Sequence, residues 1–124
     1  MIKTFDEYQK EANFLKISLN RFLENHPDTP DDVKLLLAVA YDGLGLGEAG
    51  EVQGKIKKII RDDGGNITPE HIEAIAFEIG DIMWYMASLC DNLGISLEDV
   101  ANKNINKLKS RRDRNTLHGS GDNR

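Results

Sequence analysis

The sequence predicts an all-α fold, a four-helix bundle followed by an extended tail. Apolar residues recur at three- and four-residue steps, and strand-like alternation is nearly missing. The gaps between the periodic stretches carry helix start and stop residues.

The first helix is expected from about Thr4 to Glu24, with Tyr8, Leu15, Leu19 and Phe22 on one stripe, and "HPDTP" ends it. Thr29, Pro30 and Asp32 then supply an N-cap, a first-turn proline and an early acid for a second helix. That helix continues to about Arg61 and stops at "DDGGN". Thr68 and Pro69 repeat the start signal for a third helix, which reaches Leu93 and stops at Gly94. Ser96 with Asp99 forms a capping box for a fourth helix, ending near Arg112. One domain is therefore expected over residues 1–112, and "DRNTLHGSGDNR", 113–124, reads as an extended tail.

Composition narrows the function. At 40% apolar and 30% charged residues the chain is an ordinary soluble globular protein. No signal-peptide pattern opens it and no apolar run approaches membrane length, so a cytoplasmic protein without a membrane partner is expected. Cys90 is the only cysteine, which excludes an internal disulfide and argues against a thiolate zinc site. A net charge of −5 argues against nucleic-acid binding. Residues 1–102 hold nine Lys and Arg against nineteen Asp and Glu, whereas "KNINKLKSRRDR", 103–114, holds six against one. An acidic body with one basic helix suits a metal plus a phosphate. Cations complementing a helix C-terminus are the plainer account.

The stretch "GEAGEVQGKIKK", 47–58, is poor helix material inside a long helix. Gly43, Gly47, Gly50 and Gly54 fall on one face at 100° per residue, each costing roughly 1 kcal/mol against alanine. Such a stripe lets a backbone or a ligand lie close, and plain helix-to-helix contact is the alternative. The neighbouring face carries Glu48, Glu51 and Lys55, in line with Leu37 and Leu44. In "FEIGDIMWY" the acids Glu78 and Asp81 share a face with Ala74, Tyr85 and Leu89. Four carboxylates are thus expected to converge inside the bundle. Mutual repulsion and desolvation would protonate them there unless a cation intervened. Lys55 offsets one charge at most, so an oxygen-liganded Mg²⁺ or Mn²⁺ is expected.

At these residues the chain resembles a known family. Glu48-x-x-Glu51, 26 intervening residues, then Glu78-x-x-Asp81 is similar to the all-α nucleoside triphosphate pyrophosphohydrolases, the MazG-like and dimeric dUTPase group. "YQKEA", "EAGEV", "GDIMWYM" and "GISLEDVANKNINKLKSR" extend the likeness over most of the chain. It is closest to compact MazG-like proteins, phage types among them. One departure is Gly47, where many relatives carry a further glutamate. The resemblance implies a Mg²⁺-dependent enzyme that hydrolyses a nucleoside triphosphate to the monophosphate and pyrophosphate. Glu48, Glu51, Glu78 and Asp81 would hold the metal, with Glu48 also orienting or deprotonating the attacking water.

Asn104, Lys107 and Arg111 share one helix face and match the family's N-x-x-K and following arginine, which contact phosphate. Lys55 joins this substrate-binding set. Gln9 and Asn13, one turn apart on the first helix, lie where relatives approach the base. Trp84, Met83 and Met86 read as core, and His26, His71 and Cys90 as structural. A homodimer or homotetramer is expected, as in relatives. "HGSGDNR" is read as a segment able to fold over bound triphosphate, against the simpler reading of a solvated end.

Three rivals stand beside this reading. A di-iron carboxylate bundle would need Glu-x-x-His motifs, and the chain has none. A non-catalytic helical dimerisation module would use the glycine stripe alone. A relative acting on a phosphoribosyl-ATP-like substrate would keep the acids and change the nucleotide. Base, sugar and canonical versus damaged nucleotide are not written in the sequence.

Overall fold

The computed structural model describes residues 1–14, 18–116 and 118, the side chains of residues 18 and 19 excepted. Six α-helices follow in order: α1 (Phe5–Phe14), α2 (Ser18–Glu24), α3 (Asp31–Gly45), α4 (Ala49–Asp62), α5 (Pro69–Asn92) and α6 (Leu97–Asp113). A single 3-10 turn, Leu46–Glu48, joins α3 to α4, and no strand occurs among the described residues. The all-α expectation holds. The expected first helix appears as α1 and α2, its Leu15 lying outside the described residues, as does the side chain of Leu19. The expected second helix is broken at the 3-10 turn.

Local chemistry explains most boundaries. The Thr68 hydroxyl accepts from the His71 amide at 3.3 Å, and His71 Nδ1 accepts from the Thr68 amide, so His71 completes the capping box above Pro69. Ser96 Oγ accepts from the Asp99 amide at 3.1 Å and donates to Asp6 Oδ1 at 2.6 Å, fastening the start of α6 to α1. The α3 start differs from expectation. Pro30 occupies the cap position without a side-chain bond, because the Thr29 hydroxyl donates back to the His26 carbonyl at 2.8 Å. Gly94, at φ 67°, closes α5 in the left-handed region that a side chain would resist.

α5 is the central helix, in contact with α1, α3, α4 and the 3-10 turn, while α6 leans on α1 and the end of α5. Small side chains let α1, α5 and α6 meet: Ala12, Ala87, Cys90 and Leu97 form the core, with Tyr8 and Trp84 packed against it. Trp84 is thus core, as expected. Burial pushes the Cys90 thiol up, which suits an inert packing residue. Asp42 is 2% exposed and accepts from Ser88 Oγ and Asn92 Nδ2, both at 2.7 Å, pinning α3 to the far half of α5.

This core is thin for the chain. The accessible surface is 9215 Å² for 13.9 kDa. A compact monomer of that mass exposes roughly 6,700 Å². Leu44 is 82% exposed and Phe77 69%, and Leu36, Ile60 and Ile72 also face outward. Among the described residues no helix is long and apolar enough to cross a membrane.

Candidate active site on the α4–α5 hairpin

α4 and α5 run antiparallel, joined by the Gly64–Gly65 turn and Thr68, so their faces meet in a fixed register. Lys55 of α4 meets Glu78 of α5, Nζ to Oε1 2.9 Å. One turn toward the start of α4 comes Glu51, whose charge also acts on Lys55, and about a turn before it Glu48, whose charge acts on Tyr85 of α5.

A hydrogen bond and the charge of Glu78 hold the Lys55 ammonium above its ordinary value, with Glu51 adding to them. Burial first, then the hydrogen bond with Tyr41 and the nearby charges of Tyr41, Glu48 and Asp42, push the Tyr85 phenol up. Burial pushes Tyr8 of α1 up as well, with Asp81 adding to it. Asp81 thus looks toward α1.

Convergence inside the bundle is not what the chain shows. Glu51 and Asp81 are exposed, and Glu48 and Glu78 are half-buried. A 3-10 turn advances 120° per residue against 100°, so its three residues rotate the α4 acid Glu51 by about 60° relative to an unbroken helix. Leu44, expected to point inward beside the acids, is exposed at the end of α3. Among the described residues no three His, Cys, Asp or Glu side chains stand close enough together to hold one metal ion. The donor chemistry of the four acids is carboxylate alone, the type a hard divalent cation takes, and the Lys55 ammonium lies within reach of the charges of Glu78 and Glu51.

The glycine stripe is open: a methyl built at Gly43, Gly47, Gly50 or Gly54 meets nothing within 4 Å, so among the described residues no helix lies against it. The glycine with a tight neighbour is Gly45, off the stripe, against the ring of Tyr85. Gly45 lies outside the stripe that helical periodicity picks out, and periodicity sets Tyr85 on the face of Glu78 and Asp81. Sequence spacing carries no signal for contact between two helices.

The basic face divides. Asn104 and Lys107 are exposed along α6, while Arg111 is 5% exposed, drawn into the fold rather than presented as a phosphate clamp. Gln9, expected at a base, brackets a turn instead: its Nε2 donates to the Ile95 carbonyl at 2.9 Å and its Oε1 accepts from the Leu97 amide at 2.7 Å. Asn13 is exposed and shares with Gln9 a cavity of about 390 Å³ at the α5–α6 turn, where Asp91 also lies. That is ten residues past Asp81, about 15 Å along the helix. The structure therefore separates both amides from the acids within one chain. A cavity of about 520 Å³ lies nearer, lined by Phe5, Tyr8, Met83, Asn102 and Ile105 among others, and Tyr8 is the residue that Asp81 influences. Of "HGSGDNR" only His118 lies within the described residues.

Residues 44–116, which contain all four acids and the basic helix, match the family model of the MazG nucleotide pyrophosphohydrolase domain. Over 94 residues, 75% of this chain and 82% of the relative, the sequence is 47% identical to the "Gene 37 protein" of Mycobacterium phage L5. No solved structure matches the chain. With more than half of its length matched by the family model and a relative at that identity, the chain belongs to the MazG nucleotide pyrophosphohydrolase family.

Proposed function

We propose that the chain is a metal-dependent nucleoside triphosphate pyrophosphohydrolase, converting an NTP or dNTP and water to the monophosphate and pyrophosphate. The observation that supports it is the Lys55–Glu78 contact across the α4–α5 hairpin, with Glu51 close enough for its charge to act on Lys55, inside the segment that matches the family model. Glu51, Glu78 and Asp81, together with Glu48, would hold Mg²⁺, for which Mn²⁺ could substitute, and the ion would supply charge screening for the triphosphate oxygens. Glu48 would orient the attacking water and take its proton at a carboxylate oxygen as the water oxygen bonds the α-phosphorus and the bond to the departing pyrophosphate breaks. Lys55, Asn104 and Lys107 bind phosphate oxygens, and Arg111 supports that end of α6.

The nucleoside fits the cavity between α1 and α6, because Tyr8 borders both the cavity and the field of Asp81. Asn102 there offers an amide to a base edge, in place of Gln9. The surplus apolar surface supports a homodimer or homotetramer, in which Asn13 can approach a neighbouring site. A cytoplasmic location and a house-cleaning role on nucleotides accompany this substrate class.

The deciding experiment incubates the chain with common and modified triphosphates, with and without Mg²⁺, and identifies products by anion-exchange chromatography. Monophosphate and pyrophosphate, formed only with metal, are expected. Release of orthophosphate with a diphosphate would refute the bond assignment. Glu51→Gln and Glu78→Gln each keep the side-chain shape and lose a charge the metal needs, so both are expected to abolish turnover.

A further inference from the structure

We propose that Tyr85 is a positioning residue for Glu48, acting through Gly45. Its ring packs on the Gly45 backbone, breaks the α-helix into the 3-10 turn Leu46–Glu48, and so sets where the Glu48 carboxylate stands. The role rests on the assignment of Glu48 to the site.

Gly45 has helical dihedrals, φ −62° and ψ −25°, so it is not present for conformational freedom. What the position requires is the absence of a Cβ, since a methyl there would fall on the Tyr85 ring. The ring is flanked on two sides. Trp84 meets it edge-on at 4.9 Å and 81°, and Trp84 itself packs on the core. Tyr41 of α3 stands with its ring centroid 6.1 Å away. One helical turn before Gly45, Asp42 is fixed to α5 through Ser88 and Asn92. α3 therefore reaches α5 at Asp42 and Gly45, and the thickness of one aromatic ring sets the spacing at the second point. Glu48 follows three residues later, near enough for its charge to act on the Tyr85 phenol.

A double-mutant cycle tests the coupling, reading Mn²⁺ affinity from free-Mn²⁺ electron paramagnetic resonance alongside kcat and KM. Gly45→Ala is expected to weaken Mn²⁺ binding and lower kcat by about tenfold or more, since displacements of an ångström cost that much, while KM changes little. Tyr85→Ala is expected to resemble it, and Tyr85→Phe, which keeps the ring, to restore both readouts. In the Tyr85→Ala background, Gly45→Ala should add nothing, because no ring remains for the methyl to meet. Independent, additive losses would overturn the proposal. So would losses confined to thermal stability, with Mn²⁺ affinity and kcat of the folded protein unchanged. A native chain that binds Mn²⁺ with the coupled pattern but hydrolyses no triphosphate would refute the enzymatic reading and leave the positioning role standing. A native chain that binds no Mn²⁺ would remove the assignment of Glu48, and the positioning role with it.

Discussion

Lys55 Nζ stands 2.9 Å from Glu78 Oε1 across the α4–α5 hairpin, so one candidate metal ligand shares its charge with a lysine of the opposite helix. The contact fixes the helix register and places a cation among the acids.

Removing that cation should affect substrate more than fold. The pair is partly solvated, and such pairs contribute little to stability. Lys55→Ala is expected to leave the unfolding midpoint nearly unchanged and to raise KM for the triphosphate about tenfold, the loss of one charge-assisted phosphate contact. Steady-state kinetics beside thermal unfolding checks it. A KM within about twofold of native would remove Lys55 from the phosphate site.

Gln9 should matter to stability and not to base choice. Its amide joins the Ile95 carbonyl and the Leu97 amide, which hold the entry to α6. Gln9→Ala is expected to cost about 1–2 kcal/mol in denaturant unfolding while relative kcat/KM across the common bases stays as it was. A changed base preference would return Gln9 to the nucleotide.

Asp42 is a third test. Asp42→Ala takes away the acceptor used by both Ser88 and Asn92 in a buried place, and about 2 kcal/mol or more of stability should go with it. Asp42→Asn keeps a carbonyl oxygen in reach of both donors and should cost less. Equal losses from the two variants would show that charge, not hydrogen bonding, holds α3 to α5.

The surface predicts association. Light scattering at micromolar concentration should return at least a dimer mass, closed two-fold pairing being the commonest arrangement. Phe77→Glu puts a charge on one of the most exposed large apolar side chains and should shift the population toward monomer. A monomeric native chain would refute association, and an undisturbed oligomer would place the interface elsewhere.

By itself, the sequence determined that the chain is helical, where α5 and α6 begin and where α5 ends. Those are local matters: Thr68, Ser96 and Gly94 act on neighbours within a few residues, and their effects are independent of the rest of the chain. It also determined the chemistry of the site, since two acid pairs at a spacing of three share a helix face whatever they pack against. Only the tertiary structure decided how those faces meet. The 3-10 turn begins just after Gly45, where the Tyr85 ring, 40 residues away in sequence, leaves no space for a side chain. The same long-range packing assigned Gln9 to a turn and Arg111 to the interior. Helical periodicity specifies a direction around one axis, and the neighbour found in that direction is set by how the helices pack.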